Sequence, residues 1–195
     1  QVLGGEPLNL GIARDTPESF RQSLAGAEGA DVLVTIGGAS VGDFDLVRQV
    51  LGEDGMKLDF YKIAMRPGKP LIFGHLGDVA VLGLPGNPVS AGVTSAIFLR
   101  AAMAVMLGLD SDNLPDKATA QLGGALPANG ARQDYMRAKL TSGPDGYLIA
   151  TPFERQDSAM MARFAEAHCL LIREPNAAAA KSGDAVEILR LDLGA

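Results

Sequence analysis

The sequence predicts an α/β domain with a doubly wound, mainly parallel sheet, followed by a small all-β barrel. Three observations predict it. Apolar, β-branched runs alternate with amphipathic helical segments from residue 30 to 108, the pattern of strands joined by crossover helices. The chain then turns polar at "LDSDNLPDKA", 109–118, which reads as a linker. Beyond it, short extended runs recur between Gly, Pro, Asn and Asp turns, as in a small all-β barrel or sandwich. Two domains are expected, 1–108 and 109–195.

Each element follows from local pattern. The first residues give an extended stretch and then a helix, with Thr16 as N-cap, Pro17 at the first helical position and Ser19 to Ala27 as the body. "ADVLVTI", 30–36, is a strand and "GGASVGD", 37–43, a glycine-rich turn. "FDLVRQVLGEDG" is a helix with Phe44, Val47, Val50 and Leu51 on one face, closed by Gly52 or Gly55. "KLDFYKIAM", 57–65, is extended until "RPGKP" breaks it. "LIFGHLGDVAVLGL" reads as two strands joined near residues 74–78. "PGNPVSAGVTSAIFLRAAMAVMLG" is a turn and a long helix ending at Gly108. Its length suits a membrane span, but Ser90, Thr94, Ser95, Arg100 and the alanine-rich texture argue for a buried core helix. Later strands are expected at 117–122, 133–141, 146–151, 168–173 and 185–193, with a short helix within 158–167. A doubly wound sheet normally has a first strand and helix ahead of these, so the α/β domain is expected to lack its N-terminal part.

Composition narrows the function. The 195 residues are 47% apolar and 21% charged, enough for a sizeable core. The formal net charge of −6 argues against a general nucleic-acid or anionic-membrane surface, since both need basic patches. The one cysteine, Cys169, excludes an intrachain disulfide and fits a reducing cytoplasm. It sits in the apolar run "HCLLIR" and reads as a buried, inert thiol.

Three loops carry chemistry. Gly37, Gly38, Ser40 and Gly42 join a strand to a helix; glycine lets a ligand approach the backbone, and free N–H groups at a helix start hold anions. In "GLPGNPVS", Asn87 is an N-cap and Pro88 a first helical residue. Both loops follow strands expected to be parallel, and such loops line the carboxyl edge where α/β sheets bind ligands. In "MRPGKP", Arg66 and Lys69 are cations on a Pro/Gly-stiffened loop, suited to an oxyanion. Each loop also has an ordinary reading as a turn, a cap or a solvated basic bend. Asp15 sits before a helix and Asp45 just after the first glycine loop, helix-start charges that the macrodipole alone favours; beside a phosphate-type ligand they would imply Mg²⁺. Arg132, Arg137 and Arg155 on the barrel would either help form the cleft or only solvate the barrel face, and the solvating role is the expectation.

The ordered set "TIGGASVGDFD", "MRPGKP" and "GLPGNPVSA" resembles the C-terminal half of the MoeA family, the molybdopterin molybdenumtransferases, whose eukaryotic relative is the gephyrin E domain. Residues 31–107 resemble its MogA-like molybdopterin-binding domain. "RQDYMRAKL", "GYLIATPFERQDSAMMARFAEAHCLLI" and "AKSGDAVEILRL" resemble its C-terminal β-barrel. The resemblance implies a truncated MogA-like sheet and a reaction in which molybdate is inserted into adenylylated molybdopterin with Mg²⁺ and AMP is released. Carried over by position, Asp15 and Asp45 would be metal-binding and catalytic, and Lys69 catalytic. Arg66 and Lys69 would bind oxyanions, either molybdate or pterin phosphate. Gly37, Gly38, Ser40, Pro85, Gly86, Asn87 and Pro88 would line the pterin-phosphate cleft.

The family also carries two further N-terminal domains and a dimer-shared cleft. By that comparison the chain is a fragment, expected to bind weakly and turn over little. Its full-length form is expected to be a cytoplasmic homodimer working with a MogA-type partner, without nucleic acid or membrane. Two alternatives stand beside this reading. A MogA-like molybdopterin adenylyltransferase would use ATP and need no barrel. A gephyrin-like scaffold would need an exposed apolar groove rather than an anion cleft.

Overall fold

The computed structural model describes residues 4–38, 46–109, 117–144 and 146–191. Helix α1, Pro17–Leu24, starts as its sequence dictates: Pro17 fills the first position and the Thr16 side chain accepts from the Ser19 N–H at 3.3 Å. Strand β1, Val32–Ile36, leads through the first glycine turn toward α2, Leu46–Glu53. Strands β2, Lys57–Tyr61, β3, Met65–Arg66, β4, Ile72–Leu76, and β5, Val79–Leu84, follow.

The first sheet has the order β1-β5-β4-β2. Its β1–β5 pairing is parallel, while β5–β4 and β4–β2 are antiparallel. The α/β class stands, but among the described strands the sheet is mixed rather than mainly parallel. Only Gly77 and Asp78 separate β4 from β5. Two residues close a hairpin and cannot make the crossover that parallel neighbours require.

Helices cover both faces, as in a doubly wound fold. Leu33, Ile72 and Val81 pack with Phe20, Val47, Val50 and Leu51 from α1 and α2. Leu82 and Leu84 pack with Leu71 and Ala91 on the other face. That face receives α3, Pro88–Thr94, which runs through a π-helical turn, Ser95–Leu99, into α4, Arg100–Met106. This continuous segment is long and apolar enough to cross a membrane by composition alone. Here it lies between the sheet and the second half of the chain: Val89, Val93, Ala96 and Ile97 are buried with Phe164, Leu170, Ile172 and Leu189. Two apolar partners explain an apolar surface wider than one stripe.

The second half forms β6, Lys117–Leu122, β7, Gln133–Ser142, β8, Leu148–Pro152, α5, Met161–Ala165, β9, Cys169–Arg173, and β10, Ala185–Arg190. The order β7-β8-β6-β10-β9, closed by β7–β9, makes a five-stranded barrel. Ala120, Ala138, Ala150 and Cys169 sit in its interior beside Leu122, Leu171, Val186 and Ile188. Small side chains fit so narrow a barrel. Strand β3 adds to its outside, with Met65 opposite Gln133 and Arg66 opposite Asp134. A strand from the first half of the chain is therefore hydrogen-bonded into the second-half sheet.

Candidate functional site

Strands β1 and β5 end level, with Ile36 opposite Leu84. Parallel neighbours that end together present their following turns side by side. The Gly37 N–H donates to the Leu84 carbonyl at 3.0 Å, extending the ladder one residue. Gly37 and Gly38 take φ of 85° and 71°, values that favour glycine. A Cβ on Gly38 would meet Val47 Cγ2 at 2.6 Å, and one on Gly86 would meet Gly37 Cα at 3.2 Å. The two turns thus touch backbone to backbone at the carboxyl edge of the parallel pair.

From this contact the second turn enters α3. Asn87 Oδ1 accepts from the Ser90 N–H at a long 3.5 Å, and Pro88 takes the first position. Pro85 is buried, whereas Gly86 and Pro88 are exposed. Asp15, also exposed, borders with Gly37 and Gly38 a concavity of about 1340 Å³. Ser40 and Asp45 lie outside the described residues.

The third loop packs against α3. The Lys69 carbonyl accepts from the Ile63 and Leu71 N–H groups at 3.0 and 3.1 Å. Gly68, with φ 110°, abuts the helix, where a Cβ would reach Thr94 Cγ2 at 2.5 Å. The Arg66–Pro67 peptide is cis. Arg66 and Lys69 border a smaller concavity of about 390 Å³, shared with Ser90 and with Arg132, Gln156, Asp157 and Ser158 from the barrel half. Arg66 is ion-paired to Asp134, whose side chain is buried. The expected site residues therefore fall into two groups. Asp15, Gly37 and Gly38 border one concavity, with Gly86 in contact with Gly37. Arg66 and Lys69 border another.

Ser90 and Ser158 join the second concavity without having been singled out from sequence as binding residues, and Arg132, expected to solvate the barrel face, borders it as well. Only the packing of barrel against helix brings them there. Arg137 does not solvate the barrel face: it is 2% exposed. Burial pushes its guanidinium below its ordinary value, while the nearby Asp157 carboxylate opposes the shift. Cys169 is fully buried, and burial alone pushes its thiol up to about 12. A thiol so protonated is no nucleophile at neutral pH.

Among the described residues no group of three or more His, Cys, Asp and Glu side chains could hold a metal. Of the two carboxylates expected to bind Mg²⁺, only Asp15 is described. One or two carboxylates completed by ligand phosphates and water make a donor set that Mg²⁺ accepts, and Asp15, exposed on the border of the same concavity as Gly37 and Gly38, is one such donor without a preassembled cage.

Residues 1–104 match the family of probable molybdopterin binding domains, and residues 119–191 match the MoeA C-terminal region, domain IV. The chain belongs to the MoeA family. The molybdopterin molybdenumtransferase of Haemophilus influenzae is 31% identical over 189 residues, covering 96% of this chain and 46% of the relative. That of Bacillus subtilis is 31% identical over 187 residues, covering 95% of this chain and 43% of the relative. A molybdopterin biosynthesis MoeA protein from Pyrococcus horikoshii matches with a TM-score of 0.78 at 26% identity, over 99% of this chain and 45% of that one. The chain thus spans a little under half the length of these relatives. The matches include both the α/β half and the barrel that distinguishes MoeA from a lone molybdopterin-binding domain.

Proposed function

We propose that this chain supplies the molybdopterin- and oxyanion-binding part of a molybdopterin molybdenumtransferase, with residues 1–108 as the pterin-binding unit and 109–195 as the barrel. The substrates are adenylylated molybdopterin and molybdate, and the products are the molybdenum-loaded pterin and AMP. One observation carries the reading: of two concavities, one is bordered by Gly37 and Gly38, whose turn touches Gly86, and the other by Arg66, Lys69 and Ser90 of the helix that the 85–88 turn starts.

The division fits two anionic substrates. Backbone at Gly37, Gly38 and Gly86, continued by Ser40, Asn87 and Pro88, suits the pterin phosphate, because glycine admits close approach and helix starts favour anions. Lys69 suits tetrahedral molybdate as a mobile point charge. Arg66 already carries a carboxylate partner, so its share in molybdate binding is the smaller. Breaking a phosphoanhydride requires neutralising developing charge more than a strong nucleophile. Lys69 supplies part of that neutralisation. Asp15 and Asp45 would hold Mg²⁺, which supplies the rest when bound.

Finer features belong to the same proposal: a homodimer in the full-length form, a MogA-type protein as supplier of adenylylated substrate, and a cytoplasmic location. The test is AMP release from adenylylated molybdopterin in the presence of molybdate and Mg²⁺, by the full-length protein carrying this segment. Lys69→Ala and Asp45→Ala are each expected to slow release by about a hundredfold, the usual scale for losing one charge-stabilising group. Wild-type rates in both variants would refute the site assignment.

A further inference from the structure

We propose that Arg137 and Gln156 form a positioning clamp that sets the separation of the two walls of the smaller concavity, a role that rests on reading that concavity as the molybdate site. Arg137 is the largest of the fully buried side chains, and nothing in the proposed chemistry uses it. It lies on β7 where the ladder to β8 ends. Ala138 opposite Pro152 is the last ladder pair, and the Phe153 N–H still donates to the Arg137 carbonyl at 3.0 Å. The chain then departs, and the Gln156 side chain returns to the same residue.

The Gln156 Oε1 accepts from the Arg137 backbone N–H at 2.9 Å and from Nε at 3.3 Å. Its Nε2 donates to the Arg137 carbonyl at 3.0 Å and the Phe153 carbonyl at 2.8 Å. A primary amide offers the same donor and acceptor as a peptide group, so Gln156 takes the place of the next strand residue. The Arg137 Nη1 then donates to the Asp157 carbonyl at 2.8 Å. These bonds fix Gln156 and Asp157, which with Ser158 form the barrel-side wall of the concavity.

The opposite wall is fastened to the same strand. Arg66 pairs with Asp134 both as strand neighbours and through their side chains. Asp134 precedes Arg137 by three residues, roughly 10 Å of strand at ordinary rise. Strand β7 is thus a rigid bar with the Arg66–Lys69 loop held near one end and the 156–158 wall held through Arg137.

The test is calorimetric titration of the 195-residue chain with molybdate, at a temperature where every variant keeps its native circular dichroism. Gln156→Ala is expected to bind about tenfold more weakly, the scale seen when residues that orient a binding shell are lost. Gln156→Glu keeps the acceptor, loses both donor bonds to the Arg137 and Phe153 carbonyls and adds a negative charge to an anion site, and is expected to bind at least as weakly as Gln156→Ala. Leu171→Val, a contraction in the barrel interior, controls for general destabilisation and is expected to bind as wild type. Wild-type affinity in both Gln156 variants overturns the clamp, and so does equal weakening in Leu171→Val. A wild-type chain that binds no molybdate overturns the reading of the concavity itself, and the positioning role with it.

Discussion

Gly37 and Gly86, 49 positions apart in the sequence, are in backbone contact: a Cβ added to Gly86 would stand 3.2 Å from Gly37 Cα. Gly37 is accounted for by its own φ of 85°, whereas Gly86 is accounted for by the contact. Level strand ends at Ile36 and Leu84 force the turns together, and a side chain at Gly86 would crowd the Gly37 backbone. The contact makes one surface out of two loops that the sequence presents separately.

Substitution at this contact should be costly at both partners. Gly37→Ala puts a side chain at φ 85° and is expected to lose about 1–2 kcal/mol. Gly86→Ala pushes against backbone rather than a flexible side chain, and overpacking of that kind costs about 1–3 kcal/mol. Urea unfolding measures both. A change of only a few tenths at Gly86 would mean that the turns separate freely.

The Arg66–Asp134 pair should respond asymmetrically. The Arg66 side chain is 60% exposed and that of Asp134 only 7%. Arg66→Ala strands a buried carboxylate and is expected to cost about 1–3 kcal/mol, less than for a wholly buried pair because water reaches the vacated space. Asp134→Asn leaves an arginine that rehydrates, at about 1 kcal/mol or less. Chemical denaturation that gave the reverse order would contradict this account of the pair.

Gly92→Ala should destabilise although alanine is the better helix former. In an open helix the change would gain about 1 kcal/mol. Here the new methyl would meet the Phe164 ring at 2.5 Å, so a net loss of about 1–2 kcal/mol is expected. Thermal melts decide the sign. A stabilised variant would show that α5 yields without cost.

Cys169 should make stability fall at alkaline pH. Its thiol is raised from an ordinary 9.0 to about 12 in the folded chain. Below about pH 9 it is protonated in both states, so its contribution is fully present. Between 9 and 12 the unfolded chain releases the proton first, and stability is lost as pH rises. Native protein should resist thiol-modifying reagents at pH 8 and react on unfolding. Cys169→Ala should flatten the alkaline loss; an unchanged pH profile would assign that loss to other groups.

Much of the fold was legible from periodicity. The strands over 32–36, 57–61 and 117–122 fall within the extended runs that predict them, and Thr16–Pro17 and Asn87–Pro88 start helices as their chemistry requires. Strand direction was less legible: β4 and β5 were expected, but their antiparallel pairing depends on a two-residue turn. The helix expected within 158–167 contracts to Met161–Ala165. Arg137 was misread because an arginine in an alternating strand ordinarily points to water. Its side-chain partners lie 19 and 20 positions away, and the one its Nη1 finds is a backbone carbonyl. The separation of Lys69 from Asp15 into different concavities was likewise invisible, since it depends on how the helix from Pro88 lies between sheet and barrel.

The central claim is that the concavity beside Lys69 receives molybdate. Titrating the chain with molybdate, as wild type and as Lys69→Ala, tests it most directly. Lys69 is exposed, so its loss should leave stability within about 0.5 kcal/mol and any change in affinity reports the site. The account predicts saturable binding by wild type, weakened about tenfold or more in Lys69→Ala, the scale of one lost charge-assisted contact. Absence of binding in wild type, or equal affinity in the variant, would contradict it.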